Sequence, residues 1–130
     1  MHLESPRTTV AKPAQDLFDS LTNVSNFEKL MPENIAKFEV KSDDTFLFGL
    51  KGMPEIMLRV KEKTAPNRIV LASPSDKLSF SLTADIQEVS ADSSSVQLLF
   101  DGEFNAMMAM MIKGPISKFL DTLSANMSKL

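Results

Sequence analysis

Between residues 36 and 104 apolar side chains recur at every second position, and turn residues cut the run at short intervals. Ala36, Phe38 and Val40 alternate with Lys37, Glu39 and Lys41 before the turn Ser42-Asp43-Asp44. Phe46, Phe48 and Leu50 follow and break at Gly52-Met53-Pro54, after which Ile56, Leu58 and Val60 alternate with Met57, Arg59 and Lys61. Pro66-Asn67 ends that run, Ile69 opens a short strand, and Pro74-Ser75-Asp76 closes it. Leu78, Phe80, Leu82, Ala84 and Ile86 carry the cleanest alternation. Ala91-Asp92-Ser93-Ser94 then turns the chain into Val96, Leu98, Phe100 and Phe104. A period of two predicts strands with one apolar and one solvated face. Short connections join neighbours antiparallel, so the pattern predicts a six-strand meander.

The flanks follow a different period. Thr8, Thr9 and Val10 predict a strand over residues 3–10, which Pro6 restricts to a sheet edge. Pro13 suits the first position of a helix that buries Leu17, Phe18 and Leu21. Ser25-Asn26-Phe27-Glu28 has capping-box spacing and predicts a second short helix, ended at Pro32. Residues 105–130 read as one long amphipathic helix with Asn105 as its N-cap. Met108, Ile112, Ile116, Phe119, Leu120, Leu123 and Met127 fall within about a third of its circumference, and Met107, Met110 and Met111 fall off that face. Pro115 has no N–H for the carbonyl of Met111, so Gly114-Pro115 predicts a kink, with a clamping segment after it and a tilting one before.

A chain of 130 residues reads as a single domain over 1–130, with 43% hydrophobic and 24% charged residues. Nine Phe and nine Met accompany no Tyr, Trp or Cys. A core of that kind offers no phenol or indole to aim at a ligand. The net charge of −3 argues against nucleic acid as a partner, and Arg59, Lys61 and Lys63 read as a solvated strand face. No secretory signal or membrane-spanning run is visible, so the expected location is cytoplasmic.

The order strand, two short helices, six strands and one long helix resembles the helix-grip fold of the START/Bet v 1-like superfamily, also labelled SRPBCC or polyketide cyclase-like proteins. The resemblance rests on Val10-Ala11-Lys12-Pro13-Ala14-Gln15-Asp16-Leu17-Phe18, on Leu21-Thr22-Asn23, on Met31-Pro32 and on the final helix. Lys12 stands where relatives tend to place a small capping residue. The resemblance implies an α+β fold: a curved seven-stranded antiparallel sheet gripping the C-terminal helix, with a cavity between them. It implies an apolar ligand there, such as a lipid, sterol, polyketide or quinone.

The chain's own chemistry is sparse. Its one histidine, His2, and the lack of cysteine leave nucleophile–base pairs and zinc without their usual groups, so no cofactor or metal is expected. Strand parity puts Glu39, Asp85, Asp101 and Glu103 on the solvated face. Glu62 shares parity with Ile56, Leu58 and Val60, but its place near a strand end favours an exposed rim. Ser5, Thr8 and Thr9 are the first-strand hydroxyls able to face inward, and an enzyme of cyclase or aromatase type would draw on Glu62, Thr8 and Thr9.

The expected ligand wall is therefore apolar: Phe38, Phe48, Leu58, Phe80, Leu98 and Phe100 from the sheet, with Met107, Met108, Met111 and Ile112 from the start of the helix. Flexible methionines suit a gate, formed by residues 106–113 against the Gly52-Met53-Pro54 loop. The leading expectation is a protein that binds or carries a small hydrophobic molecule. The rival is a pocketless interaction module in which the methionines, with Leu47, Met57 and Leu99 on the outer sheet face, form a homodimer surface.

Overall fold

A computed structural model describes residues 1–33, 35–50, 55–74 and 80–130. The expectations at Leu78, the 75–79 segment and the Gly52-Met53-Pro54 loop lie outside these residues. Eight strand segments form one antiparallel sheet: β1 (His2–Glu4), β2 (Thr8–Val10), β3 (Ile35–Ser42), β4 (Thr45–Leu50), β5 (Ile56–Thr64), β6 (Arg68–Ala72), β7 (Phe80–Ser90) and β8 (Ser93–Gly102). Three helices accompany them: α1 (Ala14–Thr22), α2 (Phe27–Leu30) and α3 (Ala106–Ala125). The spatial order is β1-β8-β7-β6-β5-β4-β3, with β2 also on β8. The sheet is curved and has seven positions, one of them shared by β1 and β2.

The predicted first strand is thus divided, and the division falls where Pro6 has no N–H to give a ladder. Ser5 bridges the break. Its N–H donates to the Leu98 carbonyl at 2.8 Å, and its hydroxyl accepts the Leu98 N–H at 2.9 Å. The hydroxyl in turn donates to the Pro6 carbonyl at 2.9 Å, so the edge stays attached to β8 across a proline.

Two local predictions differ from what forms. The Ser25 capping box is absent; instead the Asn23 side chain accepts the Ser25 N–H at 3.3 Å and caps a 3₁₀ turn over Val24–Asn26 that leads into α2. A β-bulge between Val60 and Glu62 reverses the parity of β5, so Glu62 lies opposite Val70 and Lys63 opposite Ile69. Glu62 therefore leaves the inner face, and Arg59, Lys61 and Lys63 do not form one continuous row.

The inner face of the sheet, α1, α2 and the second half of α3 form one apolar cluster. α3 runs unbroken through Gly114-Pro115, and Asn105 accepts the Met108 N–H at 2.8 Å as its cap. Its burial nonetheless divides where the kink was expected. Ile116, Phe119, Leu120, Leu123 and Ser124 are buried, whereas Met107, Met110 and Met111 are 75%, 83% and 70% exposed. The second half is also pinned by polar groups: Ser124 shares a hydrogen bond with the Thr8 hydroxyl and donates to the Pro6 carbonyl at 3.2 Å, while the Asn126 amide donates to the Leu30 carbonyl at 2.9 Å. No helix among the described residues is long and apolar enough to cross a membrane.

Chemical denaturation should register the division of α3. Leu123→Ala removes a fully buried side chain and is expected to cost about 2–5 kcal/mol, whereas Met110→Lys should stay within about 0.5 kcal/mol of the parent. Similar losses at both positions would refute it.

The β1 edge should respond to pH. Hydrogen bonds to Glu4 and then to Asp101 raise the His2 pKa above its ordinary 6.5. The folded-state value lies above the unfolded one, so the imidazolium's contribution is complete below about pH 6.5 and fades as pH rises through the folded-state value. Protection factors of the Leu3 and Glu4 amides are expected to fall across that window in the parent and to stay flat in His2→Asn. A flat profile in the parent would contradict the role given to His2.

Candidate ligand-binding site

Phenylalanines from four strands, from α2 and from the segment after β8 meet beneath α3 as two groups. Phe46 lies at the centre of the first, with ring centroids 4.9 Å from Phe27, 5.5 Å from Phe38 and 6.0 Å from Phe48. Phe48 stacks almost parallel on Phe119 of α3, 4.7 Å apart, which ties the helix to β4. The second group, Phe80, Phe100 and Phe104, has centroids 6.0–6.4 Å apart where β7 starts and β8 ends. Here Gly102 is required by space: the Phe104 ring occupies the place a Cβ would take.

Between the two groups lies an enclosed gap lined by Phe48, Ile56, Leu58, Phe80, Leu82, Phe100, Ile116, Phe119 and Leu120. Its volume is about 10 Å³, at the threshold for a single water. An apolar lining offers such a water no partners, so the gap is dry. Four of the sequence-predicted wall residues, Phe48, Leu58, Phe80 and Phe100, line it. Phe38 instead packs on Phe46, and Leu98 is fully buried in the core cluster. Ile112 packs against the core edge, while Met107, Met108 and Met111 stand exposed on the first half of α3.

The candidate catalytic groups are elsewhere. Glu62 and Thr9 are exposed, and the Thr8 hydroxyl is engaged with Ser124. Among the described residues three groups have displaced titration, all of them outside the gap. His2 is raised at the β1 edge, Glu39 is lowered chiefly by its hydrogen bond from Lys41, and Asp44 is lowered by the Ser42 and then the Thr45 hydroxyl. The Asp44 carboxylate holds those hydroxyls at 2.8 and 2.9 Å and organises the β3–β4 turn. Of the outer-face apolar residues, Leu47 is buried opposite Met57 and offers little contact surface.

A second concavity opens on the outside of α3. Pro32, Leu50, Gly114, Pro115, Lys118, Phe119 and Thr122 line a groove of about 750 Å³. Phe119 borders both spaces, with one side toward the closed gap and the other toward the groove. Helical periodicity placed Phe119 on the buried face, but neither its stack on Phe48 nor the groove behind it has a signal in one sequence. The sequence feature nearest to one is Gly114-Pro115, which leaves a stretch of helix without a long side chain.

No protein-family model matches the sequence, and no curated protein matches it. Solved structures do. A START superfamily protein from Mycobacterium smegmatis superposes with a TM-score of 0.70 at 12% identity, covering 98% of this chain and 94% of that one. A Thermus thermophilus protein gives 0.73 at 9% identity over 99% and 95%. A point mutant of Thalictrum flavum norcoclaurine synthase, in complex with a transition-state analogue, gives 0.71 at 11% identity over 99% and 94%. Likeness at these identities is likeness of fold, and it agrees with the strand order, the paired short helices and the gripped α3: the chain has a helix-grip fold, like that of these structures.

Proposed function

We propose that this domain, spanning 1–130, binds or carries a small apolar molecule between the sheet and α3. The observation that carries the reading is the contrast along α3. A gap walled entirely by apolar side chains lies under the helix, and the adjoining half of the helix leaves Met107, Met108, Met110 and Met111 unpacked. Methionine bends and repacks with little loss, so residues 106–113 can lift to admit a ligand and close over it. Phe38 and Leu98, next to the lining residues, would join the wall as the gap expands, and Ile112 would form its rim. Lipids, polyketides and quinones share the required chemistry, a large apolar surface recognised by shape. The Thr8 hydroxyl is engaged with Ser124 in docking α3, and Glu62 and Thr9 are exposed, which favours binding over cyclase or aromatase chemistry.

A second reading, an interaction module with a filled core, draws on the small volume of the gap and on the same exposed methionines. One experiment separates the two. Protein purified without detergent is examined by native mass spectrometry and titrated with uncharged N-phenyl-1-naphthylamine, alongside the Met107→Lys/Met111→Lys variant. The expected result is a saturable one-to-one complex that weakens about tenfold or more in the variant, with the oligomeric state unchanged. A parent that binds no probe and forms a dimer, turned into a soluble monomer by the two lysines, would refute the first reading and establish the second.

A further inference from the structure

The groove on the outer side of α3 has a composition unlike that of the gap. Pro32, Leu50, Pro115 and Phe119 give it apolar walls, while Lys118 and Thr122 bring an ammonium and a hydroxyl on adjacent turns of one helix face. Lys118 is exposed and makes no ion pair among the described residues, and no hydrogen bond of the Thr122 hydroxyl is seen among them. At about 750 Å³ the groove is within the range of small-molecule sites, whereas the gap is not. A Cβ added at Gly114 would meet nothing within 4 Å, so the missing side chain leaves open space. Among the described residues, Phe119 alone borders both the groove and the gap.

From this arrangement we infer that the groove is the polar-ended compartment of the same binding site, and that the ligand class is an amphipathic carboxylate. The inference rests on the apolar-ligand reading above and adds the head to the tail. The carboxylate pairs with Lys118 and accepts from Thr122. The alkyl or aryl tail lies along Pro115 and Leu50 and turns past Phe119, whose ring swings off Phe48 to open the gap. Phe119 is then the partition between the two compartments, and the methionine half of α3 is the flap beside it.

The test compares decanoate with decanol at neutral pH by calorimetry, on the parent, Lys118→Gln and Gly114→Leu. Decanoate is expected to bind the parent about two- to fivefold more tightly than decanol, the range for a solvated ion pair. Lys118→Gln should abolish that preference and leave decanol affinity unchanged. The Cβ of Gly114→Leu meets nothing within 4 Å and its side chain takes up groove space, so it should weaken both ligands while the thermal midpoint holds or rises. Equal binding of decanoate and decanol, or a preference that survives Lys118→Gln, overturns the inference and leaves the apolar-ligand reading standing. Failure of the parent to bind either ligand overturns both.

Discussion

A curved sheet with one apolar face needs a cover, and in this chain the long final helix supplies most of it. Phe119 is the point where cover and sheet lock. It stacks on Phe48, Phe48 lies beside Phe46, and Phe46 reaches Phe27 of the short second helix. One run of rings therefore joins α3, β4 and α2, three elements far apart in sequence. Aromatic pairs in such offset stacks contribute about 0.5–1.5 kcal/mol each beyond their buried area. Part-buried hydrogen bonds, Ser124 with Thr8 and Asn126 with Leu30, then fix the direction in which the helix lies. Apolar area supplies the affinity of helix for sheet, and these polar bonds supply its register.

That division of labour explains why the other half of the helix is loose. Before Gly114 there is no ring stack to the sheet and no side-chain hydrogen bond to another element among the described residues; the Asn105 cap holds only its own helix. Pro115 leaves the carbonyl of Met111 without its usual donor at the junction. Docking free energy is concentrated after the glycine, so the earlier turns move at low cost. The fold itself does not choose a use for this freedom, since one superposing structure is a norcoclaurine synthase. The choice comes from which polar groups remain available near the interior.

Much of the fold was legible because strand and helix periods differ and turns announce themselves. The alternation of Leu82, Ala84 and Ile86 against Thr83 and Asp85 fixed a strand and its inner face, and the Asn105 cap fixed where α3 starts. Glu62 is exposed, as its place near a strand end favours, while parity alone points it inward because a β-bulge costs one residue of register and leaves no mark in composition. The Ser25 capping box failed because Asn23, two residues earlier, accepts the same N–H and tightens the chain into a 3₁₀ turn. Parity found four residues of the gap wall but could not say how nearly closed the gap is. Volume depends on curvature and ring angles, which a period of two does not encode. The groove escaped for a related reason: it is defined by what Gly114 lacks.

Whether a tail can open the closed gap is a question of magnitudes. Moving Phe119 off Phe48 forfeits a stack of about 0.5–1.5 kcal/mol and exposes a ring whose burial is worth about 1.5–3 kcal/mol. The cost is therefore about 2–4.5 kcal/mol. Each methylene that enters recovers about 0.8 kcal/mol, so roughly three to six of them offset the displaced ring. A short acid would remain in the groove on Lys118, while a longer one would open the partition with its own tail. Tail length, then, decides whether the interior is used at all, and the head decides which end stays in water.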